Sequence, residues 1–187
     1  MRFPDLATPR LRLIETRAEH ADALYPIYSD PEVTFLYPKE PCESLEECRR
    51  VLASMASVNH RRGWRWTLVR QSAGGKDGGK NGGGGGEIVG TVGFHDWDRQ
   101  RREAKLSYEL VPSARGHGLA SEAVREALRY GYEQMGLERV LAEIHPDNQP
   151  SQRLASRLGF RQVSHSRRYW RGDSLTYLVY ERLRDEG

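Results

Sequence analysis

Long apolar runs and cysteines are both scarce in this sequence. No stretch of its 187 residues approaches the run of about 18 apolar residues that a membrane span needs. The first five residues contain no apolar segment followed by a cleavage site, so no secretion signal is expected. The two cysteines, Cys42 and Cys48, have a spacing that matches no zinc or redox pattern. We therefore expect free thiols, no membrane partner and a cytoplasmic location.

Charge of one sign is also scarce. The chain has 29 Lys and Arg against 26 Asp and Glu, a net charge of +3. A nucleic-acid-binding protein usually carries a concentrated basic patch, so no direct nucleic-acid partner is expected. Hydrophobic residues make up 37% of the chain, which is enough to build a core without disulfides. We expect a single domain spanning residues 1–187.

The hydrophobic periodicity predicts an α/β (α+β) protein of about seven strands and four helices, in the order β-α-α-β-β-β-α-β-α-β-β. Period-two patterns and β-rich runs indicate the strands, and 3.6-residue patterns indicate the helices, the first of which is stopped by Asp30-Pro31. The predicted strands are 10–15, 64–70, 87–94, 104–111, 139–145, 161–170 and 175–183, and the predicted helices are 18–29, 45–59, 118–136 and 149–158.

A glycine-rich segment, residues 72–86, separates two predicted strands. It contains nine glycines and almost no apolar residue, so it cannot bury surface or keep one backbone geometry. We expect a flexible insertion in a hairpin connection. Two interpretations stay open: a mobile lid over a site, or an elongated turn without a role.

The segment with the clearest chemical meaning follows the fourth predicted strand and opens the longest helix. Gly116 and Gly118 allow the backbone to turn sharply, so that amide N–H groups converge on one point. The helix that follows contributes its unpaired N–H groups and its positive dipole end. This arrangement predicts a site for a phosphate or pyrophosphate, flanked by Arg115 and His117. A tight connection without a ligand is the alternative.

Neither common nucleotide fingerprint fits this segment. A Rossmann site needs a third glycine and a place at the first strand, and a P-loop needs Gly-Lys-Ser/Thr. The segment instead resembles the acetyl-CoA signature Arg/Gln-x-x-Gly-x-Gly/Ala of the GNAT superfamily of N-acetyltransferases. Further segments resemble its branch that modifies ribosomal-protein N-termini (RimJ/RimL type). The matching segments are Arg115-Gly116-His117-Gly118-Leu119-Ala120, Ser121-Glu122-Ala123, Asn148-Gln149-Pro150-Ser151 with Leu158-Gly159-Phe160, Thr8-Pro9-Arg10-Leu11-Arg12-Leu13 and Asp30-Pro31-Glu32-Val33.

This resemblance covers nearly the whole chain outside the insertion, and it implies a GNAT fold with a mixed, mostly antiparallel central sheet. The strands near 106–111 and 141–145 splay apart, and the pantetheine of acetyl-CoA lies in the gap as an added strand would. A backbone N–H near Leu110 faces the thioester oxygen. No metal is implied. The expected cofactor-binding residues are Leu110, Val111, Arg115, Gly116, His117, Gly118, Leu119, Ala120, Asn148 and Ser151.

The resemblance also implies that the amine attacks the thioester directly, without an acyl-enzyme. Glu109 is the first candidate for the base, although a plain surface glutamate is the alternative, and Glu143 or His145 could serve instead. Many GNAT enzymes protonate the leaving thiolate with a tyrosine, but the matching position here is Ala155. Ser151 is the substitute in the resembling branch. A structural hydrogen bond at the helix N-terminus is its alternative role.

The acceptor is less constrained by the sequence. We expect the α-amine of a protein or peptide, such as a ribosomal-protein N-terminus. The alternatives are a small amine (polyamine, aminoglycoside or amino-acid-like), a non-catalytic acetyl-CoA-binding module and, last, simple nucleotide binding. A homodimer is common for this scaffold, but no interface can be located. Five aromatic residues are candidates for an acceptor groove or for core packing: Trp64, Trp66, Trp97, Tyr169 and Trp170.

Overall fold

The computed structural model describes residues 3–37, 39–57, 62–71 and 86–184. Within these residues the chain forms eight strands and five α-helices. In chain order they are β1 Leu6–Ala7, β2 Leu11–Glu15, α1 Ala21–Tyr28, α2 Pro31–Phe35, α3 Leu45–Ser57, β3 Trp64–Gln71, β4 Gly86–Asp98, β5 Glu103–Leu110, α4 Leu119–Glu133, β6 Arg139–Ile144, α5 Gln149–Arg157, β7 Arg161–Trp170 and β8 Asp173–Leu183. Single 3-10 turns precede α1 and α4.

All eight strands belong to one sheet, in the order β1-β2-β3-β4-β5-β6-β8-β7. Every neighbouring pair is antiparallel except β5 and β6, which are parallel. The β5–β6 pairing runs only from Glu103 opposite Arg139 to Lys105 opposite Leu141. Both strands continue beyond this point, and a gap opens between them. The fold class and the splayed pair expected from the sequence are thus confirmed.

Helices cover both faces of the sheet, because consecutive strand residues point to opposite sides. On β3, Trp66 packs edge-on against Tyr130 of α4, with ring centroids 5.4 Å apart. The next residue, Thr67, points the other way and is hydrogen bonded to His20, just before α1, at 2.9 Å. Trp64 and Trp66 are 3% and 0% exposed, so both are core residues and neither lines an acceptor groove.

Three local features differ from the sequence prediction. Asp30-Pro31 ends α1 but also begins α2, because the Asp30 side chain accepts a hydrogen bond from the Glu32 amide at 2.9 Å and Pro31 takes the first helical position. The two-residue strand β1 was too short to show a periodic pattern. Gly86 opens β4, and the rest of the glycine-rich insertion, 72–85, lies outside the described residues.

Candidate active site

The turn between β5 and α4 has the geometry of an anion site. Gly116 and Gly118 have φ angles of +81° and +75°, which glycine adopts without steric cost. Gly118 is the N-cap of α4 and provides no side chain to cap the helix. The first helical bond runs from the Glu122 amide to the Gly118 carbonyl, at 3.1 Å. The amides between them have no partner in the helix and are available to a ligand.

Arg10, from the N-terminal segment, adds a positive charge beside this turn. Its Nη1 donates to the His117 carbonyl at 2.9 Å, and its Nε forms an ion pair with Glu122 of α4 at 2.6 Å. Thr8 also donates to the Glu122 carboxylate. These contacts give a role to Thr8 and Arg10 of the segment Thr8-Pro9-Arg10 named above: their side chains tie the first turn of α4 to the start of β2. The sequence did not indicate this role, because Arg10 and His117 lie 107 residues apart.

The end of β5 offers a backbone donor to the gap. The Val111 amide donates to the Val89 carbonyl of β4 at 3.0 Å. Because successive amides of a strand point in opposite directions, the Leu110 N–H faces away from β4, toward the gap. Arg115 Nε donates to the Leu110 carbonyl at 3.2 Å. The Arg115 side chain, expected to flank the anion site, therefore braces the turn through its Nε.

A cavity of about 100 Å³ occupies the gap between β5 and β6. Its two ends lie on opposite sides of the sheet. We call the end beside α4 and α5 the cofactor end, and the other the acceptor end. The cofactor end is lined by Tyr108, Asn148, Ser151, Leu154 and Ala155, and the acceptor end by Tyr37, Glu109, Glu143 and His145.

At the cofactor end, two groups on opposite walls of the gap meet. Asn148 caps α5 by accepting a hydrogen bond from the Ser151 amide at 3.2 Å. The Ser151 hydroxyl is left to the cavity, where it accepts a hydrogen bond from Tyr108 of β5 at 3.0 Å. Burial raises the pKa of Tyr108, although the bond to Ser151 acts in the opposite direction. Ala155, one turn further along α5, adds no polar group.

At the acceptor end, Glu109 lies in a network of charge and hydrogen bonds. Its Oε2 accepts from Arg65 at 3.1 Å and from Thr91 at 2.6 Å, and its side chain is only 10% exposed. The Tyr37 hydroxyl is buried and has no hydrogen-bond partner among the described residues. Burial and the nearby Glu109 charge raise the pKa of Tyr37. Arg65, Thr91 and Tyr37 were not expected from the sequence.

Glu143, the second candidate base, forms ion pairs with two cationic side chains. Lys105 lies 3.0 Å from one carboxylate oxygen, and Arg168 of β7 donates to the other. Burial acts to raise the pKa of Glu143, but the hydrogen bonds from Arg168 and Lys105 outweigh burial, and the net effect is a lowered pKa. A carboxylate with a lowered pKa is a weaker base, so Glu143 is poorly suited to accept a proton.

His145, the third candidate, is held between two aromatic rings. The centroids of Phe35 and Tyr177 lie 5.0 and 5.6 Å from the imidazole centroid. Its Nδ1 accepts a hydrogen bond from the Asp147 amide at 3.2 Å. In the neutral ring the proton is then on Nε2, and no lone pair is left to act as a base. His145 therefore has a structural role, in ring packing and in a hydrogen bond with the backbone.

The two thiols lie outside the cavity and are unreactive. Cys42 and Cys48 are free, as predicted, and both are buried. Burial raises the pKa of Cys48 to about 12 and also raises that of Cys42, so neither is a nucleophile at neutral pH. In the described part of the chain, no three His, Cys, Asp or Glu side chains are grouped to hold a metal ion. No helix there is long and apolar enough to cross a membrane.

Comparison with known proteins identifies the family. The family described as "Acetyltransferase (GNAT) domain" matches residues 10–161. The uncharacterized N-acetyltransferase YoaA of Bacillus subtilis (strain 168) is 32% identical over 168 residues, which cover 89% of this chain and 88% of YoaA. The [Ribosomal protein uS5]-alanine N-acetyltransferase of Escherichia coli (strain K12) is 32% identical over 100 residues, about half of each chain (50% and 52%).

A solved structure shares the fold. The RimL ribosomal L7/L12 alpha-N-protein acetyltransferase, in complex with coenzyme A, superposes with a TM-score of 0.74 at 20% identity, over 98% of this chain and 100% of that chain. The open turn before α4 and the gap between β5 and β6 fit a ligand that has a pyrophosphate at one end and an extended arm at the other. This chain therefore belongs to the GNAT family and is an N-acetyltransferase that uses acetyl-CoA.

Proposed function

We propose that this protein acetylates the N-terminal α-amine of a protein or peptide, of the ribosomal-protein type, by direct attack of the amine on acetyl-CoA. The observation that carries the proposal is the charge balance of the acceptor end. Glu109 is paired with Arg65, and Glu143 with both Lys105 and Arg168. Among the residues that the structure describes, the acceptor end therefore offers no surplus negative charge to attract a polycation.

The backbone around the gap holds the cofactor in this proposal. The amides of Leu119 and Ala120, with Gly116 and Gly118 shaping the turn, bind the pyrophosphate. The exposed edge of β5 pairs with the pantetheine arm, and the Leu110 N–H is directed at the thioester oxygen, where negative charge develops. Bound acetyl-CoA supplies the activated acetyl group. The protein positions that group and keeps water out of the gap.

Glu109 is the proposed base at the acceptor end. Glu109 lines the cavity, and its hydrogen bonds from Arg65 and Thr91 both go to Oε2. Glu143 is instead held by two cations, one at each carboxylate oxygen. The Nδ1 lone pair of His145 accepts from a backbone amide. An α-amine has a pKa of about 8, against about 10.4 for a lysine amine, and part of it is already neutral at physiological pH. A weak base suffices for it, which supports an α-amine acceptor.

Ser151 is the proposed donor to the leaving sulfur. It lines the cofactor end, and its amide, rather than its hydroxyl, serves the helix cap. A thiolate with a pKa of about 8.5 is a good leaving group and needs only modest stabilisation. The hydroxyl of Ser151 can therefore substitute for the tyrosine that many GNAT enzymes place at the position of Ala155.

Two of the compared proteins support the acceptor class. One is named as an alanine N-acetyltransferase of ribosomal protein uS5, and the other as an alpha-N-protein acetyltransferase of L7/L12. Polyamines and aminoglycosides carry several positive charges, and sites that select them need unpaired carboxylates. Such carboxylates are lacking at the described acceptor end, where Glu109 and Glu143 are both neutralised by cations.

The test is acceptor-dependent release of CoA from acetyl-CoA, followed with a thiol reagent. The panel contains peptides that begin with Ala or Ser, the same peptides with a blocked N-terminus and an internal lysine, spermidine and an aminoglycoside. We expect release with the free N-terminal peptides and less than about a tenth of that rate with their blocked versions, because the lysine amine is mostly protonated at neutral pH.

Each other outcome corrects a specific part of the proposal. Release with spermidine or an aminoglycoside, and none with peptides, would assign a small-amine acceptor. The absence of Tyr at the Ala155 position favours a second reading, a non-catalytic acetyl-CoA-binding module. Acetyl-CoA binding in a calorimetric titration, with no release across the panel, would support that reading.

A further inference from the structure

Tyr108 and Ser151 are joined by a hydrogen bond across the gap, between residues 43 positions apart in the chain. We infer that Tyr108 is a positioning residue: by donating to the Ser151 oxygen, it turns the single hydroxyl hydrogen of Ser151 toward the leaving sulfur. This inference rests on the proposed function, because it assigns a partner to the proposed donor. It also explains how the cofactor end works with Ala155 in place of a tyrosine.

The two side chains come from different walls of the cavity. Tyr108 lies on β5 beyond Lys105, where pairing with β6 has ended, and Ser151 lies in the first turn of α5. Both line the same cavity. The distance between their oxygens is 3.0 Å, which is within the range of an O–H···O hydrogen bond. The bond thus joins two residues that face the cavity entered by the arm of acetyl-CoA in the proposed function.

The direction of this hydrogen bond follows from the chemistry of the two hydroxyls. A phenol is a better donor and a poorer acceptor than an aliphatic alcohol, because its lone pairs are delocalised into the ring. Burial raises the pKa of Tyr108, so its hydrogen is retained at neutral pH. Ser151 has one hydrogen and two lone pairs. Once a lone pair accepts from Tyr108, the hydrogen of Ser151 must point elsewhere.

Ser156, in the same helix, provides an internal comparison. Its hydroxyl donates to the Gln152 carbonyl, four residues earlier, at 3.0 Å, which is the usual arrangement for a serine within a helix. No such bond is formed by Ser151 among the described residues, and the residue four positions before it, Asp147, precedes the helix. The Ser151 hydrogen is therefore directed into the cavity rather than along the helix.

In the reaction, the bond between the amine nitrogen and the acetyl carbon forms and the carbon–sulfur bond breaks. The sulfur keeps the electron pair of the broken bond, and the proton of the amine goes to Glu109. Ser151 stabilises the sulfur charge by donating a hydrogen bond and keeps its own proton. The N-terminus of α5, where Ser151 lies, adds a favourable dipole. Tyr108 contributes only through the orientation of Ser151.

The experiment titrates the thiol of CoA in complex with the full-length protein, from the ultraviolet absorbance of the thiolate. For the wild type, we expect the bound thiol to ionise below the pKa of about 8.5 of an ordinary thiol. Tyr108→Phe and Ser151→Ala should each raise this value by about one unit, a tenfold change in the ionisation constant. The double variant should show no further shift, because the two residues act as a unit.

The control is Tyr132→Phe, which removes a hydroxyl that donates to the Arg182 carbonyl at 3.4 Å, outside this cavity. It should leave the titration unchanged. An unshifted wild-type thiol, no change in Tyr108→Phe, additive shifts in the double variant, or loss of CoA binding in Tyr108→Phe would each overturn the inference. Since the titration needs no acceptor, failure to find an acetylated peptide would not affect its outcome.

Discussion

The two ends of the cavity are built in different ways. The cofactor end is lined by Tyr108 of β5 and by the continuous segment 148–155, which present two hydroxyls and small side chains, and the turn before α4 adds backbone amides. The acceptor end is assembled from α2 to β7 and is held by ion pairs, such as Arg65 with Glu109 and Arg168 with Glu143. Outside the cavity, an exposed pair of Glu40 with Arg171 joins residues 131 positions apart.

This difference matches what each end has to recognise. Acetyl-CoA is the common substrate of the family, and backbone amides at a helix N-terminus bind its phosphates whatever the surrounding side chains are. An acceptor differs from one enzyme to another, and side-chain charges on separate elements can be changed without disturbing the cofactor end. We therefore expect substitutions at the two ends to affect different steps.

The largest expected effect is at the cofactor end. Gly118→Asp places a carboxylate among the amides proposed to bind the phosphates and a side chain at a φ of +75°. Because like charges at close range repel strongly, we expect acetyl-CoA affinity to fall at least about 100-fold, measured by calorimetric titration. If the variant keeps micromolar affinity for acetyl-CoA, the pyrophosphate does not bind at this turn.

Gly136→Asp is the matched control for this substitution. Gly136 also has a positive φ, +68°, and a Cβ there would meet nothing within 4 Å. It lies beyond the C-terminal end of α4. Both variants carry a backbone cost of about 1 kcal/mol, and Gly136→Asp should lower the melting temperature more, because a carboxylate is disfavoured at the C-terminal end of a helix and favoured at its N-terminal end. Only Gly118→Asp should lose acetyl-CoA.

A smaller effect should be confined to the acceptor end. Glu109→Gln keeps the shape of the side chain but removes the proposed base, so we expect kcat with the active peptide to fall about 100-fold. The acetyl-CoA dissociation constant should stay within about twofold, because the two ends are independent. The control is Glu103→Gln, on the same face of β5, whose carboxylate pairs with Arg139 at 2.9 Å. Equal losses in both variants would argue that the charge network, rather than the base, matters.

Glu143 should affect stability more than chemistry. Its pKa is lowered in the folded protein, so its carboxylate stabilises the fold above the unfolded pKa of about 4.3, and this contribution is lost as the pH falls through the folded pKa. Glu143→Gln should lower the free energy of unfolding by about 2 kcal/mol at pH 7. The difference from the wild type should shrink on acidification, as measured by urea unfolding. The exposed pair Glu46–Arg49 provides a control, since Glu46→Gln should cost less than about 0.5 kcal/mol.

The smallest effect is expected from thiol modification. With a pKa of about 12, Cys48 has only about one thiolate in ten thousand molecules at pH 8. Iodoacetamide should therefore leave activity unchanged over an hour, and mass spectrometry should find both cysteines unmodified. Unfolding in urea should expose and label both. Rapid inactivation of the folded enzyme would show that one of the two thiols contributes to activity, although neither lines the cavity.

The features predicted from the sequence are those whose signal is local. The turn before α4 depends on glycines that adopt positive φ, and the start of α5 depends on Asn148 as a cap. The order of the longer strands and helices along the chain follows from periodic patterns. The short helix α2 was missed because Pro31 reads equally well as the end of one helix and as the first residue of another.

The partners of the site residues could not be predicted, because they depend on strand register. Thr91 reaches Glu109 since the two lie directly opposite each other on β4 and β5. Shifting the register by one residue would place these side chains on opposite faces. The hydrogen bond between Tyr108 and Ser151 depends in addition on how far β5 and β6 diverge. The spacing of residues along the sequence does not indicate how far these two strands diverge.

The sequence by itself determined the fold class, the order of the longer elements and the glycine turn before α4, and its motifs resemble those of the family. The fold class, the element order and the turn follow from backbone preferences over neighbouring residues. The tertiary structure alone decided which carboxylate is paired with one cation and which with two, which imidazole nitrogen is occupied, and which hydroxyl meets Ser151. These properties depend on distances of a few ångströms between residues tens of positions apart, and electrostatic and hydrogen-bond energies change steeply over such distances.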